Sequence, residues 1–224
     1  MTYKCRHCLK DFVKENSLSI HLCEPKRRQL EQHERGVQLG LQSYLKFYTI
    51  TQGSAKLKTF DDFAASPYYK AFVKFGRQCV AIRAINPGQF IDWVLKQNKK
   101  LDNWCKDSVY TEYLEYYLRV EHISDALTRA IEFGIKWEEE TGNSAHDCLR
   151  FGNSNAMTHA VGNGRISPWV IYNCESGQKF LNELNAEQIA MIWPYIDSDF
   201  WQRKFKDYPA DQEYAKDILM KAGW

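Results

Sequence analysis

The sequence predicts a mainly α-helical chain with a small metal-bound module at its amino terminus, and three observations carry that prediction. Helix starts are marked by an N-cap residue followed by proline, at Ser66-Pro67 and Asn86-Pro87. Apolar residues recur at helical spacing through Val37, Leu41, Tyr44, Leu45 and Tyr48. Three of the seven cysteines crowd into residues 5–23, while Cys79, Cys105, Cys148 and Cys174 are scattered.

In chain order, residues 26–34 and 37–50 read as two helical segments with Gly36 between them. Ser66-Pro67 opens a helix over 67–84, and Asn86-Pro87 opens one over 87–98. Residues 107–119 and 124–140 are two more, the second closed by Thr141-Gly142-Asn143. Ser167-Pro168 opens a further helix, although Trp169-Val170-Ile171-Tyr172 reads equally as a short strand. Asn185 caps a helix ending at Trp193-Pro194, and Pro209 starts the last, running to about Ala222. Three regions follow: a metal module over 1–25, connecting helices over 26–58, and an irregular multi-helix domain over 59–224.

A chain of 224 residues with 44% apolar content can bury an ordinary core, so it needs no disulfides to fold. An odd cysteine count fits a reducing compartment. No run of eighteen apolar residues suggests a membrane span, and Met1-Thr2-Tyr3-Lys4-Cys5 has no apolar signal core. These observations predict a cytoplasmic protein. Its charge is strongly asymmetric. Residues 1–106 carry 19 Lys/Arg against 9 Asp/Glu, whereas residues 107–224 carry 11 against 19. The first half suits phosphate and the second would repel it.

Cys5-x2-Cys8 can place two thiolates on one tight turn, and His21 follows Cys8 after twelve residues. Tyr3, Phe12 and Leu18 supply apolar spacers between and before these positions. The pattern resembles the C2H2 zinc finger, in which a ββα unit packs the aromatic and the leucine beside a structural Zn2+ ion. The resemblance covers about the first tenth of the chain and departs after His21. The family's usual fourth ligand lies three to five residues on, where this chain has Glu24 to Lys26. Cys23 is the expected fourth ligand and His33 the alternative. Residues two apart on a helix point about 200° from one another, so the helix must end at His21 for Cys23 to curl back. Glu24-Pro25 supports that stop. His7 points away from the cysteine turn.

The finger resemblance implies nucleic-acid contact from Lys14, Asn16 and Ser17, with Ile20 at a position that cannot hydrogen-bond. Lys26, Arg27 and Arg28 follow at once and suit phosphate. In a second basic stretch, Lys56, Lys58, Lys70, Lys74, Arg77 and Arg83 interleave with aromatic residues. On helix 67–84 the expected arrangement is a core face of Tyr68, Phe72 and Phe75 and an outer face of Lys70, Lys74 and Arg77.

Catalytic patterns are weak. Cys148 or Cys174 with His159, near His146, Asp147, Asn155 and Asn173, could form a nucleophilic set, but no local context supports one. Gly162-Asn163-Gly164-Arg165 reads as a turn, since it lacks the spacing of a phosphate loop. Five tryptophans in the acidic half are mostly core, and Asp197-Ser198-Asp199-Phe200-Trp201 with Trp224 could anchor a protein partner. Cys23-Glu24-Pro25-Lys26-Arg27-Arg28, Ser66-Pro67-Tyr68-Tyr69 and Ile192-Trp193-Pro194-Tyr195-Ile196-Asp197 resemble segments of uncharacterised proteins of large T4-like tailed bacteriophages. The combined expectation is a non-enzymatic accessory factor that binds DNA through its basic half and recruits a protein through its acidic half, in phage transcription, replication or packaging. The alternatives are an interaction or virion-assembly component with a purely structural zinc site, and a Cys/His hydrolase. No small-molecule substrate is evident from the motifs.

Overall fold

The computed structural model describes residues 2–53 and 57–224, so Lys56 of the basic stretch lies outside the described residues. The fold is mainly helical, with one two-stranded antiparallel sheet. It divides into two compact units, Met1–Tyr110 and Thr111–Trp224. The first takes in the metal module, the connecting helices and the basic part of the helical domain; the boundary falls close to the switch in charge at residue 106.

The first unit opens with β1 (Tyr3–Lys4) and β2 (Asp11–Phe12), paired Tyr3 to Phe12 and Lys4 to Asp11. The helices α1 (Glu15–Ser19) and α2 (Glu24–Leu30) follow, and a 3-10 turn over Glu31–His33 leads into α3 (Arg35–Gln52). Next come α4 (Phe60–Ala65), α5 (Tyr69–Ala81) and α6 (Pro87–Lys96); α7 (Asp107–Val120) begins in this unit and lies mostly in the second. Between Thr2 and Arg35, Cys5 is the one buried residue. The core of this unit is an aromatic cluster: Tyr44 packs on Phe63 and Phe72, and Trp104 stands edge-on to Phe72 and Phe75.

Gly36 corrects the expectation of a break. It lies inside α3, where α3 and α5 approach backbone to backbone. A Cβ on Gly76 of α5 would sit 2.0 Å from the Gly36 carbonyl oxygen and 2.6 Å from the Gly40 nitrogen. Only a residue without a Cβ fits such a crossing. Pro25 is a second correction, since it opens α2 instead of only stopping what precedes it. Ser66-Pro67 is a third. Ser66 ends α4 and its Oγ accepts from the Tyr68 N–H, so α5 starts two residues later than the motif suggests. That shift turns Tyr69 into the core and leaves Tyr68 exposed. Asn86 behaves as expected, accepting from Gln89 N–H at the start of α6.

The second unit continues with α8 (Ile123–Thr141), α9 (Cys148–Phe151), α10 (Ser154–Gly162), α11 (Pro168–Asn173) and α12 (Glu175–Glu183). It closes with α13 (Ala186–Ile196), α14 (Ser198–Asp207) and α15 (Pro209–Lys221). The strand alternative for Trp169–Tyr172 is overturned: the segment is α11, with Trp169, Val170 and Ile171 all buried. The expected stop at Pro194 is also overturned, because α13 runs on to Ile196 with Pro194 inside its last turn. The missing Pro194 N–H removes one i→i−4 bond, and the helix ends two residues later. Trp201 is buried in this core, donating its indole N–H to the Tyr195 carbonyl at 2.7 Å and packing on Trp169 and Phe205. It does not anchor a partner from the surface; Asp197, four residues before it, caps α14. Among the described residues, no helix is long and apolar enough to cross a membrane.

Candidate metal centre and cationic groove

The turn between β1 and β2 carries Cys5 and Cys8. It is pinned by Cys5 N–H to Lys10 O and Leu9 N–H to Cys5 O, both at 2.9 Å. The helix α1 ends at Ser19, leaving His21, Leu22 and Cys23 in non-helical backbone. Cys23 is then the extended N-cap of α2, which frees its side chain to turn back. The structure therefore brings Cys5, Cys8, His21 and Cys23 together, with one ligand atom from each within 4.8 Å of all the others. Cys5 Sγ and Cys23 Sγ lie 3.9 Å apart, and Cys8 Sγ lies 3.2 Å from His21 Nε2. This group of three thiols and an imidazole could hold a metal ion.

The surroundings favour thiolate at Cys5 but not at Cys8, where the Lys10 backbone N–H lowers the thiol and burial with the neighbouring thiols outweighs it and raises it. The backbone N–H of Cys8 holds the Cys5 thiol down to about 7, with a smaller contribution from the His7 backbone and from the neighbouring thiols, against the opposing effect of burial. Phe12 packs against His21 with ring centroids 4.7 Å apart. Lys26 Nζ donates to the His21 carbonyl at 3.0 Å, fixing the loop that presents the last two ligands. His33 lies outside the group, its Nε2 2.9 Å from Gln32 Nε2. His7 does not belong to it either.

The residues expected to meet nucleic acid divide in two. Lys14, Asn16 and Ser17 stay on the amino-terminal module, Lys14 at the N-cap of α1 and Asn16 exposed on it. Arg27 and Arg28 of α2 and Lys70, Lys74 and Arg77 of α5 converge on one groove of about 600 Å³. Glu24 and Glu31 also line it. Part of this charge is neutralised internally. Arg27 pairs with Glu24, Arg28 with Glu24 at 3.2 Å, and Arg77 with Glu34 at 2.7 Å and Glu31 at 3.1 Å. Arg28 also donates to the Ala64 carbonyl at 2.5 Å and lies 4.4 Å above the Tyr69 ring. Lys70 and Lys74 make no ion pair among the described residues. Tyr69, one of the aromatics interleaved with the basic stretch but not placed on its expected core face, walls the groove with a buried hydroxyl that has no hydrogen-bond partner.

The proposed nucleophiles are set against catalysis. Burial pushes the Cys148 thiol up to about 12, and it raises Cys174 as well. A nucleophilic thiol needs the opposite shift. The Cys174 sulfur caps α12 by accepting from Gly177 N–H, and His159 contacts Asn163 at 2.8 Å. No hydrogen bond joins His159 to either cysteine among the described residues.

Compared with known protein families, curated proteins and solved structures, the chain gives no match. Function therefore has to be argued from these two sites.

Proposed function

We propose that Cys5, Cys8, His21 and Cys23 hold one structural zinc ion, and that the chain is a non-enzymatic accessory factor binding nucleic-acid phosphate in the α2–α5 groove. Around a tetrahedral zinc, with Zn–S bonds of about 2.3 Å and Zn–N bonds of about 2.0–2.1 Å, sulfur pairs stand about 3.8 Å apart and sulfur–nitrogen pairs about 3.6 Å apart. The sulfur–sulfur separation of 3.9 Å fits that frame closely, and the sulfur–nitrogen separation of 3.2 Å is about 0.4 Å shorter than it. Four protein ligands leave no open position, so the ion would staple and not catalyse.

The observation that carries the nucleic-acid reading is the convergence of Arg27, Arg28, Lys70, Lys74 and Arg77, from segments some forty residues apart, on one groove. Five cations face two carboxylates there. Lys70 and Lys74, without internal partners, are the side chains open to phosphate. Backbone contacts of this kind bind without reading sequence. The test is a salt titration of binding to a short DNA duplex. Affinity should fall steeply as salt rises, and absence of binding at 20 mM salt would end the reading. The figure of 20 mM is chosen as roughly the ionic strength at which screening is weak.

A second reading has its own support. The amino-terminal module exposes Leu9, Val13, Ile20 and Leu22, with Val13 and Ile20 each 83% exposed. So much bare apolar surface on so small a module favours docking on a protein. In that case the metal module would meet the partner protein while the groove meets phosphate.

A further inference from the structure

The second unit holds a cavity of about 770 Å³, walled by the end of α7, the start of α8, Trp169 of α11, and the facing sides of α14 and α15. Its chemistry differs from that of the groove in the first unit. Lys204 lies half-buried in its wall, with the ammonium 5.1 Å from the Trp169 ring and 5.0 Å from the Trp201 ring. The ammonium donates to the Arg119 carbonyl, and no carboxylate stands within ion-pair distance of it among the described residues. One bond to a carbonyl uses one of its three N–H groups. Two indole faces supply attraction without supplying an acceptor.

Two other donors in the same wall are also unmatched. The Trp169 indole N–H and the Arg119 Nε are buried without hydrogen-bond partners. Arg119 reaches Pro194 O at 3.3 Å and Glu115 at 2.9 Å through its terminal nitrogen, and lies 4.7 Å from the Phe200 ring. The one fully buried carboxylate among the described residues, Glu121, lines the same wall, and its Oε2 is itself without a hydrogen-bond partner. Glu121 pairs with Arg129 at 2.7 Å and accepts from Ser167 Oγ at 2.9 Å. Lys204, Arg119 and Trp169 thus bring three incompletely matched donors to a wall that also carries Glu121, next to the aromatic surfaces of Phe200 and Tyr208.

We propose that this cavity binds a small organic oxyanion with a flat apolar body, its carboxylate on Lys204 and its ring against Phe200 and Tyr208. The anion supplies the acceptor that the ammonium lacks. The positive field of Arg119 and of the Trp169 N–H dipole acts in the same sense. The apolar body replaces water along the rings. Asp207 and Asp211 at the cavity's edge would disfavour a ligand carrying several charges, such as a nucleoside triphosphate.

The test is calorimetric titration of the full zinc-loaded chain with 1-naphthoate, and with neutral 1-naphthylmethanol as the isostere lacking charge. Saturable 1:1 binding of the carboxylate is expected, at least about tenfold tighter than the alcohol, as one charge-assisted hydrogen bond implies. The Lys204→Met variant should lose about the same factor, and Lys204→Arg should retain most of the affinity. Equal binding of acid and alcohol, or no heat at millimolar naphthoate, would overturn the assignment. Should Lys204→Met fail to fold, the wild type decides. Its Trp169 indole N–H resonance, assigned with Trp169→Phe, must shift on saturation with naphthoate, and an unmoved resonance rejects the site.

Discussion

The two units of this chain hold themselves together by different means. The second buries whole aromatic side chains: Trp169 and Trp201 meet edge to face, and Trp201 also packs on Phe205 and Phe200. The first has an aromatic core of its own around Phe63, Phe72 and Trp104, but its opening thirty-odd residues lie outside it. There α1 and α2 bury nothing, the strands are two residues long, and Cys5 is the only buried side chain. Such a segment offsets little of its conformational entropy by apolar burial, and on the proposed reading a metal supplies what the core does not. The difference teaches where each unit is vulnerable: one to chelation, the other to cavities.

Chelation is the sharpest way to break that contrast. Removing the metal, or introducing Cys5→Ser, should unfold residues 2–25, because structural zinc contributes on the order of 10 kcal/mol or more to such modules. Hydrogen exchange followed by mass spectrometry should show loss of protection there and unchanged protection in α8, α11 and α14. Protection that survives in the amino-terminal segment would mean that packing alone holds it.

A substitution in the first unit's own core comes next. Gly76→Ala places a methyl group 2.0 Å from the Gly36 carbonyl oxygen, where backbone on both sides resists movement. A loss of about 3 kcal/mol or more is expected, read by chemical denaturation. Full wild-type stability would show that α3 and α5 do not cross so closely. In the second unit, Trp201→Ala should cost a comparable amount, about 3–5 kcal/mol, while leaving the metal content intact.

How much of this could be read from the residues themselves varies along the chain. The α3 helix was legible because Val37 and Tyr44 bury one face, so its apolar spacing is helical. The α11 helix was ambiguous because Trp169, Val170 and Ile171 are buried on every side, which erases periodicity. Several short helices gave little signal. In α4 the start is a Thr59–Asp62 capping box over only six residues, and α10 begins with the polar run Ser154-Asn155. The α14 helix is hard to see in the sequence because Asp197-Ser198-Asp199 reads as a charged surface patch as readily as a cap. At the metal centre, spacing and the finger resemblance point to Cys5, Cys8 and His21, ligand type favours Cys23 over His33, and helix geometry adds that the helix must end for Cys23 to turn back. The groove could not be foreseen, because only tertiary packing brings α2 and α5 side by side.

Smaller effects sharpen the account further. Replacing Lys70 and Lys74 together by Gln should reduce the salt dependence of DNA binding by about two phosphate contacts, with little change in thermal stability. An unchanged slope would move the contact elsewhere, to Lys14 and the amino-terminal module. Thiol alkylation at neutral pH gives the finest comparison. Cys79 and Cys148, both buried and with thiols pushed up to about 12, should resist iodoacetamide in the native chain. Rapid modification of Cys148 would revive a reactive-thiol role.

Native mass spectrometry of the purified chain addresses the metal centre most directly. One zinc per chain is expected, lost on chelation and lost in Cys23→Ala but retained in His33→Ala. A chain that carries no zinc, or that keeps it without Cys23, would contradict the metal staple on which the first unit's architecture rests.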